Sequence, residues 1–240
     1  MNPIFFLIIL IILFTVIRCF CMRIRSNTEA MNSKPITIVC GNSIPNTKEV
    51  KPEISNVAET TVKFNGHWLM SPKDIPKDAK YTVVVHEGSV IHALHLMAKH
   101  KKFDNVREIV VCCTHFIPLD GITHNHEQRN KDAMRHLEKY KKDLKGVKII
   151  VLTMTDLSPV MDAIFKRGLQ KTKPPRTGLV YVMWLVLQNH IVYLNGFDIE
   201  NTDLLTHAFE PKVTVPKKHD AKAEGVIIKQ LISEKLVVMV

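Results

Sequence analysis

Two histidines in the last third of the chain each have a glutamate close behind, as His207…Glu210 and His219…Glu224. An imidazole has an unperturbed pKa of about 6.5, so near neutral pH it can take a proton from a hydroxyl or hold one against an anion. Lys217 and Lys218 directly precede His219 and add positive charge there. His219 and Glu224 stand five residues apart, so they do not share a face if both are helical. If His219 sits just before a helix, Glu224 falls in its early turns; spacing alone defines no catalytic pair. Upstream, Pro174-Pro175-Arg176-Thr177-Gly178 leads into a long apolar run. The prolines favour an extended lead-in and Thr177 can cap a helix. The helix start then offers N–H groups and positive dipole to a phosphate or carboxylate, although an ordinary capped core helix reads the same way. A separate group, His115, His124, His126 and Glu127, has donors for a metal-dependent hydrolase. Solvated histidines in a strand-end loop are the simpler reading, and no metal is expected.

The elements that must hold these residues follow from the apolar pattern. Short β-rich runs mark strands at 36–40, 60–64, 81–85, 108–113, 147–152, 191–194 and 236–240. Helical spacing or amphipathic character marks 89–100, 130–143, 158–169, 177–188 and 220–232. Strands alternate with helices, and the strands are apolar runs without clean alternation. Both features point to an α/β domain with a mostly parallel sheet covered by helices on both faces. Ligands of such open sheets bind at the carboxyl ends of the strands. Gly41-Asn42, Asn65, His86 and Gly196 stand at or just after strand ends, so one crevice could collect them.

The first segment is different. Pro3 to Ile17 carries no charge and is nearly all Ile, Leu and Phe, with Arg18 interrupting it. Its length lies between a signal-peptide core and a full span. Residues 1–22 are expected to be a signal anchor or signal peptide, and 23–35 a short polar stem. The remaining roughly 200 residues, 36–240, suffice for one domain with a sizeable core. A content of 46% hydrophobic and 23% charged residues makes that body globular rather than disordered. The formal net charge of +10 suits an anionic partner or a simply basic surface. No Lys/Arg run alternates with aromatics, so no nucleic-acid partner is expected. Of five cysteines, Cys19 and Cys21 lie in the apolar segment. Cys40, Cys112 and Cys113 are too few and wrongly spaced for a disulfide framework or a zinc site.

The segment PRTGLVYVMWLVLQNHIVYLNGFD resembles the small sialyl motif of the sialyltransferases, glycosyltransferase family 29. That motif has Thr/Ser-Gly, an apolar helix, a strand and Gly-Phe. His207…Glu210 resembles the family's His-x-x-Glu motif, and His219…Glu224 its His-x4-Glu motif. Three short motifs in the family's order are far more specific than any one. More weakly, Val39-Cys40-Gly41-Asn42-Ser43 and Val62-Lys63-Phe64-Asn65 resemble pieces of the large sialyl motif. Similar pieces occur in the bacterial sialyltransferases of family 42. The resemblance covers residues 36–66 and 174–240 and leaves 67–173 unmatched.

The resemblance implies a Rossmann-like glycosyltransferase domain without a required cofactor. The implied reaction is inverting transfer of sialic acid or a related sugar from a CMP-sugar donor to a hydroxyl of a glycan or glycoconjugate acceptor. His219 takes the place of the general base, and His207 that of the histidine beside the donor phosphate. Gly41, Asn42, Ser43 and Asn65 fall at donor nucleotide positions. Thr177 and Gly178 fall at the helix start that meets the donor sugar or phosphate. Glu210 and Glu224 are supporting residues, Glu224 orienting local backbone or the histidine. The resemblance also implies a single-pass Golgi membrane protein with a lumenal catalytic domain. Arg18, Arg23 and Arg25 follow the apolar segment, however, and by the positive-inside rule they would leave that flank cytosolic. The chain contains no Asn-x-Ser/Thr acceptor. It also departs from the family elsewhere. Asn189 stands near the position of the small-motif cysteine that pairs with the large motif in animal members, so Cys40 lacks that partner. Arg176 stands where a small hydroxyl residue is common, and the short interval from Asp198 to His207 reduces any lid. A catalytically inactive, membrane-tethered binding protein of the same fold is the alternative reading.

Overall fold

The computed structural model describes residues 34–41, 50–69, 75–112, 126–197, 199–200, 204–207, 210–214 and 219–240. The strands are β1 (Ile36–Cys40), β2 (Thr60–Phe64), β3 (Tyr81–His86), β4 (Val106–Cys112), β5 (Lys148–Leu152), β6 (Ile191–Asn195), β7 (Leu204–His207), β8 (Glu210–Thr214) and β9 (Val237–Met239). The helices are α1 (Pro52–Ser55), α2 (Val90–His100), α3 (His126–Lys139), α4 (Met154–Lys166), α5 (Thr177–Leu187) and α6 (Ala221–Ser233).

Seven strands form one sheet in the order β5-β4-β3-β2-β1-β6-β9. Every neighbouring pair in it is parallel. The α/β class with a parallel sheet, expected from the apolar strands, is therefore the observed one. From β1 the chain steps outward through β2, β3, β4 and β5. It then crosses back to lay β6 and β9 on the other side of β1. The strand order reverses between β1 and β6, and that is where an open sheet forms its ligand crevice.

Alternation along each strand sends successive side chains to opposite faces. Val84 and Val110 join Val39, Val62 and Leu194 on one face, where α4, α5 and α6 supply Ile164, Val180, Leu185, Ile227 and Leu231. Val83, Val85, Ile109 and Val111 face the other way, onto Ala93, Leu94 and Met97 of α2 and Ala133 and Leu137 of α3. Helix α5 is apolar nearly all round, and Leu179 to Met183 and Leu185 are buried. It is therefore a core helix. Among the described residues no helix is long and apolar enough to cross a membrane. The N-terminal apolar segment lies outside them.

Several elements differ from the sequence expectation. Helix α4 starts at Met154, four residues before the expected 158. The Asp156 carboxylate accepts from the Thr153 N–H at 2.7 Å and from its hydroxyl at 2.6 Å, which fixes the start there. Helix α3 covers His126–Lys139 rather than 130–143, because Ala133 and Leu137 set its buried face but not its ends. Strands β7 and β8 were not expected. They form a two-stranded antiparallel ribbon in which His207 pairs with Glu210. Pro211 in β8 breaks the usual strand pattern and is tolerated because both strands of a ribbon are edges.

Candidate active site

The crevice is built first by glycine. The Gly41 N–H, just after β1, donates to the Asn195 carbonyl at the end of β6 at 2.6 Å. A Cβ at position 41 would stand 2.3 Å from the Gly196 carbonyl oxygen and 3.0 Å from Phe197 Cδ2. Only glycine lets the two strand ends approach this closely. Gly196 itself has φ +71°, a left-handed turn that delivers Phe197 back over the crevice. There a Cβ on Gly178 would lie 3.5 Å from Phe197 Cε1. Phe64 meets Phe197 edge to face, with ring centroids 6.4 Å apart. Phe197 thus joins the ends of β1, β2 and β6 to the first turn of α5.

Asn65 follows Phe64 in a left-handed conformation, φ +50°. Its N–H donates to the Val84 carbonyl at 2.8 Å, and its carbonyl accepts from Trp68 Nε1 at 3.1 Å. Its Oδ1 accepts the His86 N–H at 3.1 Å. A backbone N–H can only donate, so the amide orientation is fixed, with Nδ2 as its donor end. At the end of β3, His86 Nδ1 accepts the Gly88 N–H at 3.1 Å. Its Nε2 therefore carries the proton and faces the Glu87 carboxylate at 3.2 Å. The Glu87 side chain is buried, so this pair stiffens the turn into α2.

The second half of the site comes from the starts of α5 and α6. Thr177 does not cap α5, contrary to expectation. Arg176 is the N-cap, extended at φ −70° and ψ 148°, and makes no side-chain cap bond. Thr177 is already inside the first turn. The capping carboxylate comes instead from another helix. Glu224 Oε1 accepts the Arg176 N–H at 2.9 Å, and Oε2 accepts from Arg176 Nε at 2.6 Å. The Glu224 side chain is 3% exposed and that of Arg176 30%. Removing one partner of a fully buried pair costs about 3–5 kcal/mol, and the partial exposure of Arg176 reduces this to roughly 2–3 kcal/mol. Both hydrogen bonds of the Glu224 carboxylate go to Arg176, one to its backbone and one to its side chain. His219 Nδ1 stands 2.7 Å from the Pro174 carbonyl oxygen. A carbonyl only accepts, so Nδ1 carries the proton, and whenever the ring is neutral the lone pair is on Nε2.

Two chains of contact meet on the first turn of α5. One runs from Gly178 through Phe197 to Gly41, and through Phe64 to Asn65. The other runs from Arg176 to Glu224 and from Pro174 to His219. Gly41, Asn65, Thr177, Gly178, His219 and Glu224 are thereby brought to one end of the sheet. His207 and Glu210 pair through their backbones in the β7–β8 ribbon. Asn42 and Ser43 lie outside the described residues, as do His115 and His124. Among the described residues no group of three or more His, Cys, Asp or Glu side chains could hold a metal ion. Cys40 and Cys112 are in no disulfide. A cleft of about 370 Å³ lined by Ala98, Lys101, Phe103, Asp104 and Asp143 lies beside the end of α2, near the start of β4, and contains none of these residues. Sequence reasoning placed Phe64 and Phe197 within motifs but gave them no role, and it did not single out the Pro174 carbonyl or the Arg176–Glu224 pair. The Asn-Gly-Phe turn after an apolar strand was the available signal for Phe197.

No protein-family model matches the sequence, and no curated protein matches it. Solved structures do. The monofunctional α-2,3-sialyltransferase Cst-I from Campylobacter jejuni superposes with a TM-score of 0.53 at 16% identity, over 87% of this chain and 75% of that one. The fold is that of the sialyltransferases. A mammalian sialyltransferase gives 0.50 at 15% identity, over 88% of this chain and 70% of that one. The sialyltransferase CstII from Campylobacter jejuni, in complex with the substrate analogue CMP-3FNeuAc, gives 0.50 at 11% identity, over 86% and 81%. At 87% of the chain, the likeness reaches beyond the motif-bearing segments 36–66 and 174–240.

Proposed function

We propose that this chain is a glycosyltransferase that moves sialic acid or a related acidic sugar from a CMP-sugar donor to a glycan hydroxyl, with inversion. The observation that carries the reading is the contact of His219 Nδ1 with the Pro174 carbonyl, three residues before the start of α5. With Nδ1–H held by the Pro174 carbonyl at 2.7 Å, Nε2 is the nitrogen able to accept a proton. In the proposed step the acceptor hydroxyl attacks the anomeric carbon and gives its proton to His219 Nε2. The bond from that carbon to the phosphate oxygen breaks, and CMP leaves with the electron pair. The first N–H groups of α5, at Thr177, Gly178 and Leu179, have no acceptor within the helix. They and the helix dipole favour the negative charge developing on the donor side. His207 is assigned to the same phosphate by the motif it matches. Gly41, Asn42, Ser43 and Asn65 are assigned to the nucleotide. Glu210 and Glu224 are assigned supporting roles. In this reading residues 1–22 hold the enzyme at a Golgi membrane, with the catalytic domain in the lumen.

The test is transfer of labelled sugar from CMP-sialic acid by the full chain and by His219→Ala. Loss of a general base lowers the rate about 10²–10⁴-fold. Equal rates would remove His219 from the mechanism. Absence of transfer by the wild type across a panel of CMP-sugars, together with no calorimetric signal for CMP, would overturn the enzyme reading.

A further inference from the structure

A contact of His219 and both side-chain bonds of Glu224 end on one three-residue segment, Pro174–Arg176. His219 Nδ1 donates to the carbonyl of Pro174, and Glu224 takes the N–H and the Nε of Arg176. Between them stands Pro175. Its ring locks its own φ, and it restricts Pro174 before it to extended conformations. Pro174 and Pro175 are also buried. The segment is therefore a short stiff strut, and gripping one end sets the direction of the carbonyl at the other.

Both gripping residues ride on one rigid element. The Asp220 side chain caps α6 by accepting the Ala223 N–H at 2.9 Å. The Glu224 N–H donates to the Asp220 carbonyl at 3.0 Å. His219 is joined directly to that cap, and Glu224 lies in the first turn behind it. The result is a closed circuit from His219 through the start of α6 to Glu224, across to Arg176, and back along the strut to the carbonyl that holds His219.

We propose that Glu224 is a positioning residue for His219: by clasping Arg176 it holds the Pro174 carbonyl where it selects the Nδ1–H tautomer and keeps Nε2 as the basic nitrogen. The catalytic consequence rests on the functional reading above; the tautomer itself does not. The five-residue spacing has a physical reason in this arrangement. It separates a ring placed just before the helix from a carboxylate one turn inside it, so the two reach opposite ends of the strut. Arg176 is part of the device. Its Nε adds a charge-assisted bond to the one made by its backbone, a bond that a small hydroxyl residue at that position could not make.

The experiment uses the full chain labelled with ¹⁵N-histidine and long-range ¹H–¹⁵N correlation, with His219 assigned by its loss in His219→Gln. Wild type is expected to show a protonated Nδ1 and an unprotonated Nε2. In Glu224→Gln an amide replaces one acceptor oxygen and turns a donor toward Arg176, so the His219 signals should move toward the average of the two tautomers. If the chain transfers sugar, kcat should fall about 10²-fold, as expected for a misplaced group, with KM for the CMP-sugar nearly unchanged. A folded Glu224→Gln that keeps the wild-type signature overturns the proposal. If that variant does not fold, Arg176→Met carries the test. It leaves the backbone bond and removes only the side-chain one; partial averaging is expected, and an unchanged signature in the folded protein overturns the proposal. A tautomer that responds in a chain without transferase activity would instead overturn the functional reading and leave this one standing.

Discussion

Substituting Gly41 by alanine tests the packing that closes the crevice. The added Cβ would meet the Gly196 carbonyl oxygen at 2.3 Å and its carbon at 2.8 Å. Carbon and oxygen pack no closer than about 3.3 Å, so one strand end must retreat by about an ångström. Both parties are backbone, so no rotamer change can relieve the contact. The cost has two parts and one offset. Overpacking costs about 1–3 kcal/mol, occasionally more. The Gly41-to-Asn195 bond, 2.6 Å long, stretches or breaks, at about 1 kcal/mol. Alanine restricts the unfolded chain relative to glycine, which returns about 0.4–1 kcal/mol. The net expectation is a loss of about 2 kcal/mol. For a domain of this size each kcal/mol lowers Tm by about 2–4 °C, so a drop of about 4–8 °C is expected. Thermal and urea denaturation of the full chain measure it. Gly146→Ala is the control: its φ is +86° but no atom lies within 4 Å of the added carbon, so it bears only the left-handed strain of about 1–2 kcal/mol. A Gly41→Ala protein that melts within about 2 °C of wild type, or above Gly146→Ala, would refute the close-approach argument.

Two pH dependences follow from rings at known places, one half-buried and one buried. His190 Nδ1 lies 2.9 Å from the Thr37 hydroxyl, and burial lowers its pKa below the usual 6.5, with the Glu59 charge opposing. Below about pH 6.5 the unfolded chain therefore binds more protons than the folded one. The stability tied to this group is complete above that pH and is lost as pH falls through it. Urea titrations at neutral and acid pH should show a flatter profile for His190→Gln, and parallel profiles would count against the assignment. Tyr181 is 3% exposed. Burial raises its pKa above 10, the Glu108 and Cys112 charges add to the rise, and Arg107 opposes it. Above about pH 10 the unfolded phenol loses its proton while the folded one keeps it, so stability falls with rising pH. In an ultraviolet titration Tyr181 should ionise only as the chain unfolds, and Tyr181→Phe should remove that component. Reversible ionisation of Tyr181 in the folded protein near pH 10 would contradict its burial.

Several elements were legible because their causes are local. The β-branched runs at 36–40 and 60–64 became strands with those bounds. The apolar run from Thr177 became the core helix, though it ends at Leu187. Missed boundaries also had local causes, as with the Thr153–Asp156 cap of α4. The β7–β8 ribbon was not legible, because the segment has neither a sustained apolar period nor a standard hairpin turn. Residues 67–173 carried no motif, yet three strands and three helices lie there among the described residues.

In the candidate site the division is between residue types and partners. The sequence alone determined which side chains were present, that Gly41, Asn65 and Gly196 follow strands, and that His219 precedes a helix with Glu224 in its first turn. These are properties of a few consecutive residues, set by hydrophobic period, turn preference and spacing. Only the tertiary structure decided that Glu224 reaches Arg176, 48 residues away, rather than His219. Only it decided that a proline carbonyl 45 residues from His219 fixes the tautomer of the ring. The physical reason is that hydrogen bonds choose among whatever donors and acceptors packing brings within about 3 Å. That choice is made when β6 and α6 fold back beside α5, a step that no stretch of neighbouring residues encodes by itself.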